Sequence, residues 1–278
     1  MLLNGVTLKN GHEIPLKSLN LVIGPNNSGK TSFLSDLKSL QDTGLILQAT
    51  SPQGLDEFQI KAYLDSLGNY NIPSGKGKGS YGANNWDEAS RLVQRNIEFV
   101  SSEFLRRKWS NSTTILDGKT RLSIVDDKPY QGISADTSQN VFETLRKNRN
   151  LKADLQKHLE VVLPGKFFAL WNPKPTQLRA YICDVEPVED IEYFDSPKAA
   201  QFFEQNAKSL AKYSDGIKAY LGILINVIAD GKKQFLIDEP EAFLHPNLCF
   251  KLGQTLASIA CDLDTAFLTL ARYSNSNL

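Results

Sequence analysis

The sequence predicts an α/β fold in which a long region of mixed helices and strands is inserted between two ends that form one core. Two observations predict it. Near the start, the apolar run Leu19–Ile23 leads through a glycine-containing loop into the helix-like stretch Ser32–Leu37. Near the end, the apolar run Gln234–Ile237 stops at two adjacent carboxylates, Asp238 and Glu239. Both patterns are typical of strands that lie inside the sheet of an α/β protein.

Other elements are predicted around the first of these patterns. Loose alternation of apolar and polar residues indicates strands at Met1–Leu8 and His12–Leu16, and Gly44–Gln48 is a further strand candidate. The stretch Asn85–Trp109 is predicted to be an amphipathic helix, because its apolar residues recur every three or four positions.

The middle of the chain mixes strands and helices. The strands predicted there are Thr114–Leu116, Arg121–Val125, Tyr130–Ile133, Lys166–Trp171 and Leu178–Cys183. Asp117-Gly118 lies between the first two and is a hairpin signal, whereas Val141–Leu163 has helical spacing. We therefore expect one domain over residues 1–278, with a core of residues 1–45 and 190–278 and a variable insertion of about residues 45–190.

The glycine-containing loop, residues 24–31, fits the pattern G-x-x-x-x-G-K-S/T of the P-loop. Consecutive backbone N–H groups of such a loop form a cradle for anions, and the start of the following helix adds donors. Lys30 is expected to reach the β- and γ-phosphates, and the Thr31 hydroxyl to bind Mg²⁺. The residues predicted to bind the nucleotide here are Gly24, Pro25, Asn26, Asn27, Ser28, Gly29, Lys30, Thr31 and Ser32. The motif indicates a nucleoside triphosphate and leaves hydrolysis, phosphate transfer and sensing open.

The acidic pair near the other end has a role that fits this loop. An Asp at the carboxyl end of a buried parallel strand can hold Mg²⁺ beside the P-loop Thr, so Asp238 is the predicted partner of Thr31. Glu239 is predicted to polarise the attacking water as a general base. The alternative is a strand that simply ends in an acidic turn.

A third pattern, Ser214-Asp215-Gly216, precedes the strongly apolar helix predicted at Ile217–Ala229. Ser and Asp are good N-cap residues, so helix capping is one interpretation. The same residues at a helix N-terminus also predict a second anion site, to which Ser214, Asp215 and Gly216 would contribute.

The order of the three patterns resembles the head of ABC-type ATPases. The Ser214-Asp215-Gly216 segment is similar to the signature motif of that family, and Leu236–Pro246 is similar to the second acidic motif of overcoming-lysogenization-defect-like and related AAA-labelled ABC ATPases. Many of those proteins belong to anti-phage systems, and others resemble DNA-repair and chromosome-maintenance ATPases. The resemblance covers residues 1–40 and 210–271. It implies a P-loop NTPase of ABC-ATPase type, whose fold is a mixed sheet with a lid insertion of helices and antiparallel strands.

The resemblance also implies a function. Two copies would pack head-to-tail around ATP and Mg²⁺, and hydrolysis would release them. The composite site would contain Lys30, Thr31, Asp238 and Glu239 from one chain and Ser214 and Gly216 from the other. A separate effector, such as a nuclease, is expected, and binding of nucleic acid is a further possibility. An ATP-sensing or scaffold subunit with little turnover is the alternative; a P-loop phosphotransferase would need neither the Ser-Asp-Gly helix nor the acidic pair.

The sequence departs from this family near its end. The family has a strand that ends in Thr-His-Ser, whereas the matching strand here, Thr265–Leu270, is followed by Ala271, Arg272 and Tyr273. Either slow turnover or ATP-gated assembly is therefore expected. The histidines of the chain are His12, His158 and His245. Gln48 and Gln131 are candidates for the glutamine that senses Mg²⁺ in the family lid.

Composition indicates where the protein is located and which kinds of partner it lacks. The 31 basic and 31 acidic residues cancel, which gives no overall attraction to nucleic acid or to a membrane surface. The three cysteines are scattered without a C-x-x-C spacing, and the first residues lack the basic and apolar regions of a signal peptide. The longest apolar stretch, Tyr220–Ala229, is shorter than the ~20 residues of a membrane span. A cytoplasmic protein without a membrane partner is predicted.

Overall fold

A computed structural model describes most of the second half of the chain and separate stretches of the first half. The described residues are 5–7, 13–25, 28–39, 46–47, 71–73, 80–82, 88–89, 91, 109, 112–130, 138–188, 191, 196–232, 234–262 and 265–272. The predicted helix Asn85–Trp109 lies mostly outside these ranges, and Asn26, Asn27 and Tyr273 lie wholly outside them. The chain divides into two compact units, residues 1–17 with 35–113 and residues 18–34 with 114–278.

The elements are numbered in chain order. The strands are β1 (Gly5–Thr7), β2 (Glu13–Pro15), β3 (Leu19–Gly24), β4 (Ile46–Leu47), β5 (Asn71–Pro73), β6 (Ser80–Gly82), β7 (Thr113–Leu116), β8 (Lys128–Pro129), β9 (Phe167–Lys174), β10 (Gln177–Cys183), β11 (Ala207–Ser209), β12 (Gln234–Asp238) and β13 (Ala266–Arg272). The helices are α1 (Lys30–Ser39), α2 (Gly118–Ser123), α3 (Val141–Lys147), α4 (Arg149–Val162), α5 (Pro197–Asn206), α6 (Asp215–Ala229) and α7 (Pro246–Asp262).

The first unit contains short antiparallel strands. β1 pairs with β2 and with β4, and β5 pairs with β6 in a separate two-stranded ribbon. β1, β2 and β4 lie within the runs Met1–Leu8, His12–Leu16 and Gly44–Gln48, so a strand is confirmed in each of these predicted positions.

The second unit is built on a sheet with the strand order β3-β13-β12-β7. β13 is parallel to β3 on one side and to β12 on the other, with Gly24 opposite Arg272 and Asp238 opposite Leu270. Phe235 of β12 and the neighbouring aromatic ring of β13 are fully buried and lie 5.6 Å apart between centroids. Because these strands point the same way, the carboxyl ends of β3 and β12 lie at one edge of the sheet. The strands predicted from both ends of the chain are confirmed.

A second sheet in this unit is antiparallel. β10 pairs with β9 along most of its length, and β8 and β11 pair with different halves of β10. The predictions for Lys166–Trp171 and Leu178–Cys183 are therefore confirmed. One face of the β9–β10 pair contributes Phe168, Leu170 and Ile182 to the main core.

The predicted helix Val141–Leu163 is two helices, α3 and α4, separated at Asn148. The backbone of Asn148 leaves the helical region, with φ −115° and ψ 98°, and its side chain accepts hydrogen bonds from the N–H groups of Asn150 and Leu151. Asn is a good N-cap residue because its side chain replaces the missing backbone acceptor at a helix start. The break is thus a local effect that apolar periodicity does not reveal.

The prediction of a strand at Arg121–Val125 was wrong. Residues 118–123 form α2, because Asp117 acts as N-cap and its carboxylate accepts from the Thr120 N–H at 2.7 Å and from the Thr120 hydroxyl at 2.8 Å. Asp117-Gly118 therefore begins a helix and does not close a hairpin. The capping bonds and the burial of α2 prevail over the β-propensity of the sequence.

The core of the second unit is centred on α6. Every residue of this helix from Ala219 to Ala229 is buried, and its apolar side chains pack with residues of α3, α4, α7 and both sheets. Within the part of the chain that the structure describes, no helix has the length and apolar character needed to cross a membrane.

Gly222 is where α6 touches α2. A Cβ at this position would lie 2.2 Å from the Arg121 carbonyl oxygen and 2.7 Å from Ile124 Cγ2. Gly222→Ala must push the two helices apart, so we expect the free energy of unfolding to fall by about 2 kcal/mol or more in chemical denaturation. Gly253→Ala in α7 is the matched control, because a Cβ there meets nothing within 4 Å. It should stabilise by about 0.5–1 kcal/mol, as expected for Ala in a helix. Equal effects of the two substitutions would contradict the packing argument.

Candidate nucleotide site

The loop after β3 has the backbone that the P-loop motif requires. Gly29 has a φ of +85°, and α1 begins at the next residue, with the Phe33 N–H bonded to the Gly29 carbonyl at 2.9 Å. A Cβ at Gly24 would lie 2.8 Å from Ser28 Oγ, so a side chain there would require the Ser28 hydroxyl to rotate away. Ser28, Gly29, Thr31 and Ser32 are exposed, whereas Asn26 and Asn27 lie outside the described residues.

Lys30 is buried and folds back over the loop. Its ammonium Nζ donates to the carbonyl oxygens of Gly24 and Pro25, both at 2.7 Å, and lies 3.5 Å from Ser28 Oγ. The positive charge is therefore held inside the curve of the loop. An incoming phosphate oxygen would replace one of these neutral acceptors and gain a charge-assisted hydrogen bond.

Thr31 and Asp238 come together although 207 residues separate them. Thr31 Oγ1 donates to Asp238 Oδ2 at 3.3 Å. The parallel sheet explains this approach, because it brings the end of β12 to the same edge as the loop that follows β3. The other carboxylate oxygen, Asp238 Oδ1, is buried and has no hydrogen-bond partner among the described residues.

The electrostatics of Asp238 suit a cation ligand. Burial raises the pKa of Asp238 above its ordinary value, and the negative charge of Glu239 adds to the rise. The hydrogen bond from Thr31 and the positive charge of Arg121 act in the opposite direction and do not cancel it. A carboxylate with an unpartnered oxygen and too little positive charge around it fits a divalent cation and its water ligands.

Glu239 is held by its backbone in an unusual conformation. Its φ is +48°, its N–H donates to the Leu270 carbonyl at 2.7 Å, and its own carbonyl accepts from Arg121 Nη1 at 2.9 Å. Positive φ is uncommon for a residue with a side chain and persists where the surroundings determine it. The turn at Glu239 is therefore fixed from β13 and from α2.

The start of α6 presents Ser214 and Asp215 at the surface. Ser214 occupies the N-cap position, but its side chain makes no capping hydrogen bond, and Asp215 pairs with Lys218 at 2.6 Å. A Cβ at Gly216 would lie 2.8 Å from the carbonyl oxygen of Phe243, so glycine is required there by contact within the chain. Among the described residues, no hydrogen bond joins Ser214, Asp215 or Gly216 to the P-loop. The structure thus brings Lys30, Thr31 and Asp238 to one edge and does not join the α6 residues to them.

The residues that follow the strand where the family has its histidine, and the histidines of this chain, lie in different places. β13 continues to Arg272, whose backbone lies opposite Gly24, while Tyr273 is outside the described residues. His245 is exposed, and its Nδ1 accepts from the Asn247 N–H at 3.4 Å at the start of α7. His158 lies in α4, where burial lowers its pKa. The two glutamine candidates, Gln48 and Gln131, lie outside the described residues.

Arg121 was not anticipated as part of this site. It is fully buried, and besides its bond to Glu239 its Nε donates to the Asp117 carbonyl at 3.2 Å. Burial lowers the pKa of Arg121, and the charges of Glu241, Asp238, Asp117 and Glu239 oppose that shift. The pattern Asp-x-x-Thr after a predicted strand was the one signal in the sequence for a helix, rather than a hairpin, at this place.

Metal binding in this site would depend on few side chains. No cluster of three or more His, Cys, Asp or Glu residues suitable for a metal occurs within the described ranges. The Thr31 hydroxyl and the Asp238 carboxylate, which are in contact, would be the protein ligands of a Mg²⁺ bound with a nucleotide, with phosphate oxygens and water as the others.

The fold is similar to that of a solved SMC head. The SmcHead bound to the C-winged helix domain of ScpA has a TM-score of 0.52 and 13% identity, over 98% of this chain and 89% of that chain. The SMC head domain from Thermotoga maritima has a TM-score of 0.45 and 13% identity, over 98% and 90%. The structure of cbiO1 from Clostridium perfringens, part of the ABC transporter complex cbiONQ, has a TM-score of 0.44 and 11% identity, over 96% of this chain and 72% of that chain. The similarity to the SmcHead confirms the predicted α/β P-loop NTPase fold.

The family is established by the sequence itself. No curated protein matches the chain. Residues 19–263, which include the P-loop, the start of α6 and the acidic turn, match the family described as "AAA domain, putative AbiEii toxin, Type IV TA system". The chain therefore belongs to this family of P-loop ATPase domains.

Proposed function

We propose that this chain binds ATP with Mg²⁺ at the P-loop and hydrolyses it. The observation that supports this most directly is the 3.3 Å approach of Thr31 Oγ1 to Asp238 Oδ2. A hydroxyl and a carboxylate beside a phosphate-binding loop are the ligand types that P-loop NTPases use for Mg²⁺. The unpartnered Oδ1 of Asp238 is available to a water of the metal.

Each group has a distinct role in this proposal. Backbone N–H groups of the loop and the start of α1 hold the phosphates, and Lys30 neutralises charge on the β- and γ-phosphates. Glu239 accepts a proton from the water that attacks the γ-phosphorus, while the bond to the bridging oxygen breaks and leaves ADP and phosphate. Bound Mg²⁺ would supply further charge neutralisation between Thr31 and Asp238.

We further propose that two copies share each nucleotide. Ser28, Gly29, Thr31 and Ser32 are exposed around the P-loop, and the Ser214 hydroxyl at the start of α6 is exposed and makes no capping bond. A helix N-terminus with an unused hydroxyl is suited to bind an anion that another molecule presents. Head-to-tail packing would give each ATP the P-loop of one copy and the α6 start of the other.

Ser214 is the residue with which to test this arrangement. Gly216 is unsuitable, because any side chain there meets the Phe243 carbonyl within the same chain. Ser214→Asp keeps a good N-cap residue at an exposed position but places a carboxylate against the γ-phosphate of the partner's nucleotide. Ser196→Asp is the matched control, because Ser196 is the N-cap of α5 and bonds the Ala199 N–H.

The decisive measurement is phosphate release by mixed chains. We expect Ser214→Asp and Lys30→Ala each to be inactive alone, and Ser196→Asp to remain active. A 1:1 mixture should recover about one quarter of wild-type turnover, because about half of the dimers would be mixed and each would hold one intact site of two. Full activity of Ser214→Asp, or no recovery in mixtures that do dimerise, would contradict a shared site.

The biological setting is also a proposal. We place the chain in anti-phage defence, ahead of DNA maintenance, acting with a separate effector. The family description supports this choice, because it names a toxin of a type IV system. A cytoplasmic location is consistent with the cysteines, all of which lie in the described part of the chain and none of which forms a disulfide.

We propose that the chain is one ATPase domain. Its core would consist of residues 1–45 and 190–278, and its insertion of about residues 45–190.

A further inference from the structure

Arg121 is the largest side chain that the described structure buries completely. A buried guanidinium is costly unless its N–H groups are paired and negative charge is close. Nε donates to the Asp117 carbonyl and Nη1 to the Glu239 carbonyl, whereas Nη2 is buried without a hydrogen-bond partner. The fold therefore buries a charged residue that bonds the distant Glu239 carbonyl and lies near the carboxylates of Glu241 and Asp238.

That contact is one of the restraints on the backbone of Glu239. Its peptide groups are held on one side by the Leu270 carbonyl at 2.7 Å and on the other by Arg121 Nη1 at 2.9 Å. With a φ of +48°, Glu239 stays in a sparsely populated conformation that needs such restraints. The Glu239 carbonyl also accepts from the Ala242 N–H at 2.8 Å, which closes the turn on itself. Loss of the bond from Arg121 would remove the restraint that ties this turn to α2 and would leave those from β13 and from within the turn.

The backbone of Arg121 also contacts α6. Its carbonyl oxygen lies where a Cβ of Gly222 would be, at 2.2 Å from that position. Nearer its start, α6 contacts the turn itself, because the Phe243 carbonyl lies 2.8 Å from the position of a Cβ at Gly216. One close backbone contact thus connects α6 with the segment that carries Glu239, and the other connects α6 with α2, which in turn bonds the Glu239 carbonyl through Arg121.

We infer that Arg121 is a positioning residue for the proposed ATP hydrolysis. It holds the Glu239 turn in a fixed position relative to α6. When the start of α6 contacts a nucleotide bound to a second copy, that contact is therefore transmitted to Glu239 of the same chain. This inference rests on the proposed function. Arg121 does not touch the nucleotide in this role; it acts through the Glu239 backbone and through Gly222.

The test uses Arg121→Lys in the full chain. Lysine keeps the positive charge but lacks the planar fork that donates to the Asp117 and Glu239 carbonyls together. We expect kcat for ATP to fall at least about tenfold, with KM and Mg·ATP affinity changed by less than about threefold. Arg146→Lys is the matched control, because Arg146 is also buried but bonds Asn172 and lies over the Tyr130 ring. It should lower thermal stability and leave kcat unchanged.

A double-mutant cycle separates positioning from a general loss of structure. If Arg121 acts through Glu239, Arg121→Lys should have little further effect on single-turnover hydrolysis once Glu239→Gln is present. Wild-type kcat in a folded Arg121→Lys variant, or effects that multiply fully in the double variant, would overturn the inference. If the wild-type protein hydrolyses ATP no faster than the Lys30→Ala variant, the proposed function is overturned, and the role of Arg121 with it. Arg121→Gln, which retains an N–H donor without the charge, replaces the lysine variant if that variant does not fold; the same loss of kcat is expected.

Discussion

We expect Glu239→Gln to lose nearly all steady-state phosphate release while Mg·ATP still binds. This result is expected because glutamine retains the size and backbone of Glu239, including its bonds to Leu270 and Arg121, but cannot accept a proton from water. Loss of a general base typically costs a factor of about 10²–10⁴ in rate. The expected fall in kcat is thus at least about a hundredfold, measured by phosphate release at saturating Mg·ATP.

The same variant should accumulate as an ATP-bound dimer if two copies share the nucleotide. Size-exclusion chromatography with and without Mg·ATP measures this directly, and binding calorimetry confirms that affinity is retained. Glu204→Gln provides the control, because Glu204 is an exposed carboxylate on α5. Turnover that is equal in the wild-type protein and the Glu239→Gln variant would exclude Glu239 as the base and favour an ATP-sensing subunit, for which little turnover is expected from the start.

We expect Lys30→Ala to weaken Mg·ATP binding severely. Lys30 is the buried cation of the loop, and its Nζ is held at 2.7 Å from two loop carbonyls, where a phosphate would compete for it. The variant loses both the charge and the donor, so we expect affinity to weaken at least about a hundredfold, which corresponds to about 3 kcal/mol. Isothermal titration calorimetry with Mg·ATP measures the change.

Two controls accompany this measurement. Lys157→Ala changes an exposed lysine of α4 that pairs with Asp154, so its ATP affinity should equal that of the wild-type protein. The thermal midpoint of nucleotide-free Lys30→Ala shows whether the fold survives the loss of the bonds to Gly24 and Pro25. Unchanged heat of binding in a folded Lys30→Ala variant would show that the nucleotide does not bind in this loop.

Local patterns predicted the parts of the site that contiguous residues build. The P-loop is one such part, because its cradle is made by successive backbone groups and local geometry favours glycine at position 29, as the positive φ of Gly29 shows. The approach of Thr31 to Asp238 was also anticipated, because strand order and direction place both at one edge of a parallel sheet.

Other features depend on competition between local signals. At Asp117 the sequence offers a hairpin signal and an N-cap signal in the same residues, and the capping bonds to Thr120 prevail. At Asn148, one side chain divides a continuous helical pattern because it supplies acceptors for a second helix start. Periodicity averages over such single residues, so neither outcome follows from it.

The sequence by itself determined that this chain carries a phosphate-binding loop, a buried strand that ends in two carboxylates, and a Ser-Asp-Gly helix start, because each depends on neighbouring residues. Only the tertiary structure decided that Arg121 is buried against the Glu239 carbonyl and that Gly222 and Gly216 are contact points of α6. Those relations join residues that are distant in the chain, and burial, which sets their energies, exists only after the sheets and helices have packed.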